Sequence, residues 1–200
     1  MPLTRGEPPV RYKLKCMSTD LQLIRAGVEH QPALGNLLEL YIHDFSELVP
    51  RDVGDDGRYG YKNLALYWSD NSRLPFLAKL DDKLFGFVLV TRIPEPSGDG
   101  ETLDMAEFFV LRSYRRRGLG TQLAEKVWLH CPGRWQIRVM EKNVSALKFW
   151  ESSIAKFTGQ PTKSTRFMKD GVAWLRFSLD SREYRITAVE LTCPPARPRG

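Results

Sequence analysis

Two hundred residues, 42% of them apolar, suffice for one buried core, and they hold no run of the roughly 18 apolar residues that a membrane helix needs. The net charge of +6 lies mostly at the ends, about +3 in residues 1–17 and +2 in residues 181–200, so the near-neutral middle argues against a nucleic-acid-binding protein. Cys16, Cys131 and Cys193 and the scattered His30, His43 and His130 match no metal or disulfide spacing, and together these features predict a soluble, cytoplasmic protein with neither a metal nor a membrane partner.

In chain order, residues 1–20 open on "MPLTRGEPPV", which lacks the apolar middle of a secretion signal and reads as a flexible basic extension, with Met17 an alternative start. "LQLIRAG" (21–27) predicts a short strand. In "PALGNLLELYIHDF", Leu34, Leu37, Leu38, Tyr41, Ile42 and Phe45 recur at helical spacing. A polar loop over residues 50–60 precedes a predicted helix near residues 63–68. "PFLAKL" (75–80) and "LFGFVLVTR" (84–92), parted by "DDK", read as a hairpin, and "LDMAEFFVL" (103–111) as a third buried strand. "LGTQLAEKVWLH" carries an apolar stripe of Leu119, Leu123, Ala124, Val127 and Trp128. "RWQIRVM" (134–140) is again a strand, "VSALKFWESS" (144–153) a short helix and "VAWLRFSL" (172–179) a closing strand, before a basic, proline-containing tail over residues 181–200. This order predicts an α/β (α+β) domain over residues 21–180. Helical crossovers in its second half imply parallel pairing in the middle of a sheet that is elsewhere antiparallel.

Between the third strand and the striped helix lies "RSYRRRGLGT". Gly118 and Gly120 stand where a helix begins, with its first N–H groups unpartnered and its dipole positive, and glycines let a bulky phosphate approach the backbone. The arginines add attraction for an anion. No GK[ST] follows, and position 123 is Leu where a dinucleotide fingerprint needs Gly, so two commoner phosphate loops are excluded. An arginine-rich turn that merely precedes a helix stays open as the reading of this motif alone.

Arg115-x-x-Gly118-x-Gly120 resembles the Q/R-x-x-G-x-G/A acyl-coenzyme A signature of the GNAT superfamily, the Gcn5-related N-acetyltransferases. A second segment, "VMEKNVSALKFWESSI", resembles that family's N-x-x-A-x-x-F-[YW]-E pattern through Asn143, Ala146, Phe149, Trp150 and Glu151. The resemblance spans residues 21–180 and is nearest to a bacterial subgroup of small predicted acetyltransferases. It implies a mixed twisted sheet whose central parallel strands splay apart, flanked by helices, with acetyl-coenzyme A as co-substrate. In that pose backbone N–H groups of Arg116, Arg117, Gly118, Leu119, Gly120 and Thr121 hold the pyrophosphate, with Arg115 or Arg116 near the phosphates. The pantetheine arm runs beside Phe109, Val110 and Leu111, facing the strand of Ile137 and Val139, and Asn143, Phe149 and Trp150 line the thiol end.

Acyl transfer needs a neutral amine, whereas an alkyl ammonium with a pKa near ~10.4 is protonated at neutral pH. Glu107, acidic within the apolar "AEFFV", is the expected general base, the alternative being a strand-end ion pair with an arginine. The N–H of Val110 is the expected oxyanion donor. Where the family commonly carries a tyrosine to protonate the thiolate, this chain has Trp150, with Ser145 and Tyr114 as weak substitutes. Residues 44–57 carry a net charge of −4. With Asp44, Tyr41, Tyr59, Tyr61 and Phe108 at the acceptor side, they predict a small, cationic amine acceptor, the alternative being a solvated loop. The chain is expected to act as a monomer or homodimer. An acyl-coenzyme A sensor without turnover is the competing reading.

Overall fold

The computed structural model describes residues 20–95, 98 and 100–184. The predicted extension before Asp20 and the predicted tail after Tyr184, with Cys16 and Cys193, lie outside the described residues. The elements are β1 (Leu21–Arg25), α1 (Gln31–Phe45), α2 (Leu66–Ser69), β2 (Arg73–Leu80), β3 (Lys83–Pro94), β4 (Glu101–Val110), α3 (Leu119–His130), β5 (Arg134–Met140), α4 (Val144–Thr158), β6 (Ser164–Lys169) and β7 (Val172–Asp180). Among the described residues no helix is long and apolar enough to cross a membrane.

The seven strands form one sheet in the order β1-β2-β3-β4-β5-β7-β6. Every neighbouring pair is antiparallel except β4 and β5, which are parallel because α3 crosses between them. The fold expected from the sequence is therefore the one found. Alternation along the central strands divides the core into two layers. Phe76, Val88, Val90, Leu103 and Ile137 face α3 and α4 and pack with Leu123, Val127, Trp128, Trp150 and Ile154. Leu77, Phe87, Leu89 and Phe109 face the other way, toward Leu34, Leu37 and Leu38 of α1 and Tyr67 of α2. Strand β3 is thus buried on both faces over residues 85–90, which is why its sequence is apolar without alternation.

Local chemistry sets the ends of these elements. Asp81 and Asp82 both adopt positive φ, 48° and 64°, as the tight β2–β3 turn requires. Asn143 caps α4 by accepting a hydrogen bond from the Ala146 N–H at 3.1 Å, and Gly159, at φ 67°, ends that helix in the left-handed region.

Apart from shifts of one or two residues at strand ends, four features differ from the sequence reading. The helix predicted near residues 63–68 is a single turn, Leu66–Ser69. Helix α4 continues past residue 153 to Thr158, burying Ile154. Strand β4 stops at Val110, and Leu111 begins the turn that follows. Strand β6 has no counterpart in the sequence reading: "STRFMK" is almost wholly exposed and becomes a strand by pairing along β7, through a turn in which Asp170 and Gly171 take φ of 51° and 74°.

Gly86 on β3 lies opposite Val110, and a Cβ there would stand 2.2 Å from the Phe109 carbonyl oxygen. Gly86→Ala should therefore force the end of β4 away from β3 and destabilise the protein by about 1–3 kcal/mol. The midpoint of urea unfolding checks this, and an unchanged midpoint contradicts it.

Candidate active site

Strands β4 and β5 pair over only three positions, residues 102–104 with 134–136. Beyond them the register of β4 on β3 jumps, since Val90 faces Met105 and Leu89 faces Glu107, leaving Ala106 as the extra residue of a bulge. The bulge turns β4 as it leaves β5. Asp104, 2% exposed, stands at the last paired position. Arg138 of β5 donates to both its carboxylate oxygens, Nε to Oδ1 at 3.0 Å and Nη2 to Oδ2 at 2.6 Å, which ties the strands where they part. Past this point Phe108 packs between α4 side chains, with ring centroids 5.5 Å from Phe149 and 5.0 Å from Trp150.

Two cavities flank the fork. One, of about 600 Å³, runs from Phe108, Phe109 and Val110 to Arg116, Gly118, Gly120 and Thr121. The other, of about 370 Å³, contains Tyr41, Tyr61, Glu107, Phe108, Val139 and Trp150. They share Tyr41, Phe45, Phe108, Asn143 and Ala146, so they meet beside β4.

At the end of the larger cavity the chain makes a turn with Arg116 at φ 59° and Gly118 at φ 75°, and α3 begins at Leu119. Gln122 donates to the Gly118 carbonyl at 3.2 Å, so the N–H groups just before it precede the intrahelical ladder and are available to an anion. Gly120 lies under Phe149, where a Cβ would come within 3.0 Å of the ring. Thr121 and Ser153 share a hydroxyl hydrogen bond of 2.9 Å that joins α3 to α4.

The arginine run divides by partner. Arg115 donates through Nε to the Val110 carbonyl at 2.7 Å, lies over the Phe109 ring and pairs with Asp44. Arg112 pairs with Asp44 at 2.8 Å and Glu47 at 3.4 Å. Burial alone would raise the Asp44 pKa, but the hydrogen bonds from Arg112 and Arg115 outweigh it and hold the carboxylate below its ordinary value. Arg117 lies over Tyr114. Arg116 lines the cavity and makes no ion pair among the described residues.

Glu107 receives two hydroxyl hydrogen bonds, from Tyr41 at 2.6 Å and from Tyr61 at 3.1 Å, rather than an arginine. Burial raises its pKa, and the two tyrosine bonds pull it back in part. Burial first, and then the neighbouring Glu107 charge, raise both Tyr41 and Tyr61 above the ordinary phenol, so both hydroxyls stay protonated as donors. Leu111 donates to Phe85 of β3 at 2.8 Å, so by alternation the N–H of Val110 faces away from β3, toward the fork. Trp150 is buried among Phe108, Phe149 and Trp128.

Of the acids in residues 44–57, Glu47 lines the larger cavity and pairs with Arg112. Asp44 lines the larger cavity between its arginines, and Asp52, Asp55 and Asp56 are exposed and line neither cavity. Tyr59 is engaged elsewhere too, bonding His43 through its hydroxyl at 3.2 Å and Glu39 through its N–H at 2.7 Å. Arg51, Arg138, Lys169 and Trp174 line the smaller cavity although no sequence signal singled them out. Among the described residues no group of three or more His, Cys, Asp or Glu side chains could hold a metal ion.

The model described as the acetyltransferase (GNAT) family matches residues 35–154. Among solved structures the chain is similar to an acetyltransferase from Thermus thermophilus, with TM-score 0.59 and 17% identity, covering 80% of this chain and 96% of that one. It is similar to Arabidopsis thaliana NAA60 in complex with acetyl-CoA, with TM-score 0.54 and 14% identity, covering 80% and 98%. It is also similar to the aminoglycoside acetyltransferase meta-AAC0020 from an uncultured soil metagenomic sample, in complex with trehalose, with TM-score 0.54 and 17% identity, covering 74% and 97%. At these identities the likeness is one of fold. No curated protein matches the chain.

Arg138→Ala would leave the buried Asp104 carboxylate without either hydrogen bond, an expected loss of about 3 kcal/mol. Urea unfolding of the variant checks this, and a cost below about 1 kcal/mol would mean that the pair does not hold the fork.

Proposed function

The chain belongs to the acetyltransferase (GNAT) family, which makes it an acyltransferase, and we propose that it moves an acetyl group from acetyl-coenzyme A to the primary amine of a small acceptor by direct attack in a ternary complex. The observation that carries this reading is Glu107: a half-buried carboxylate whose pKa is raised by desolvation, held by two tyrosines beside the junction of two cavities. The acetyl-CoA complex of NAA60 supports the choice of donor. A cavity of about 370 Å³ supports a small acceptor.

In this reading the larger cavity holds the donor. Its pyrophosphate lies on the N–H groups of residues 116–121, with the side chain of Arg116 adding charge, while Arg115 positions the end of β4 through the Val110 carbonyl. Phe109, Val110 and Leu111 run beside the pantetheine arm, and Asn143, Phe149 and Trp150 border the thiol. The donor supplies an activated thioester carbon. The chain's own part is to hold an ammonium against Glu107, take its proton onto that carboxylate, and offer the Val110 N–H to the carbonyl oxygen. Tyr41 and Tyr61 aim the Glu107 oxygens. Trp150 has no acidic hydrogen to give, and a thiol of pKa near ~8.5 leaves without one, taking its proton from solvent.

Glu107→Gln should bind coenzyme A with unchanged affinity by calorimetry and release free thiol from acetyl-coenzyme A plus amine at least about 100-fold more slowly. Unchanged turnover would remove Glu107 from the chemistry, and donor binding without thiol release from any amine would favour a sensor. The tyrosine hydroxyls lower the Glu107 pKa, so Tyr41→Phe and Tyr61→Phe should each raise it. Because the base must be ionised, the acidic limb of kcat/KM against pH should move to higher pH in both variants. A limb that stays in place or moves down contradicts the assignment.

A further inference from the structure

The charges around the smaller cavity form a pattern. Glu107 is its only acidic lining side chain among the described residues, whereas Arg51, Arg138 and Lys169 are basic. Arg138 is neutralised by Asp104. Arg51 and Lys169 are not neutralised: neither makes an ion pair among the described residues, and they reach the cavity from unrelated parts of the chain, the loop after α1 and the last residue of β6.

Asp52 and Asp170, next to Arg51 and Lys169 in sequence, are exposed and line neither cavity. Glu141 is held by Arg166 through hydrogen bonds of 3.0 and 3.1 Å, and Asp44 and Glu47 are held by Arg112. Lys142 donates to the Leu48 carbonyl and so joins the segment before Arg51 to the loop after β5. Two exposed cations therefore border a mixed polar and aromatic cavity that holds a single carboxylate and two phenol hydroxyls. A purely cationic acceptor would meet repulsion at Arg51 and Lys169 before reaching Glu107. An amine that also bears a negative group would find a partner for each end.

We propose that the acceptor is a primary amine carrying an anionic group, its ammonium received by Glu107 and its carboxylate or phosphate by Arg51 and Lys169. This rests on the acyl-transfer reading above and reverses the cationic acceptor suggested by the acidic composition of residues 44–57.

The test measures thiol release from acetyl-coenzyme A with matched acceptors. Alanine and phenylalanine are set against their carboxamides, and O-phosphoethanolamine against ethanolamine, with spermidine as the cationic control. The anionic member of at least one pair should be favoured by about tenfold or more in kcat/KM, and the favoured pair tells carboxylate from phosphate. In an Arg51→Gln, Lys169→Gln double variant, shown by its thermal unfolding to be folded, that preference should collapse, chiefly through a higher KM. Equal rates within every pair, or spermidine as the best acceptor, overturn this inference and leave acyl transfer standing. A preference that persists in the double variant overturns the assignment to Arg51 and Lys169. Thiol release from no amine overturns the transfer reading and this inference with it.

Discussion

Three positions of parallel pairing join the two halves of the sheet, and everything that resembles a binding site depends on that join being so short. Had β4 and β5 stayed paired along their lengths, their facing backbone groups would have satisfied one another and no opening could exist between them. The parting is enforced in three ways. A bulge at Ala106 bends β4, the Asp104–Arg138 pair marks where contact ends, and Phe108 wedged against Phe149 and Trp150 fills the space beneath. A buried ion pair adds little net stability over apolar packing. What this one adds is a fixed point from which the strands diverge.

The parting also sets the electrostatics. Glu107, three residues beyond Asp104, faces an environment in which ionisation is costly, and only the hydroxyls of Tyr41 and Tyr61 ease that cost. On the larger cavity the positive field is narrower than three consecutive arginines suggest, because Asp44 takes up Arg112 and Arg115 and Arg117 lies over Tyr114. The glycine turn supplies shape and backbone donors, and of that run Arg116 is the side chain left to add charge on the cavity side.

Most of the fold was legible because burial imposes periodicity. The stripe Leu34, Leu37, Leu38, Ile42 specified α1, the unbroken apolar run of β3 specified a strand covered on both faces, and the strand–glycine–helix order specified the crossover. What escaped had no such pattern. "STRFMK" buries nothing fully, so no period marked β6, although Asp170-Gly171 is a hairpin turn that could have revealed it. In the site, Glu107 stood out as an acid in an apolar strand, and Tyr41 by its helical spacing. Tyr59 and Asp44 were read from composition: Tyr59 lies in a loop, which has no period from which to read orientation, and the Asp44 pairing with Arg115 spans 71 residues of sequence. Arg51 and Lys169 lie in the two segments where burial leaves no pattern.

Strand β6 lies at the rim of the sheet, and β7 is the one strand it pairs with among the described residues. Its side chains point largely into solvent, so replacing them disturbs little packing. Yet Lys169 borders the smaller cavity. This part of the smaller cavity's wall is thus uncoupled from the layers that keep the chain folded, and descendants of this sequence could reshape that cavity by drift along one hairpin while the larger cavity stays intact.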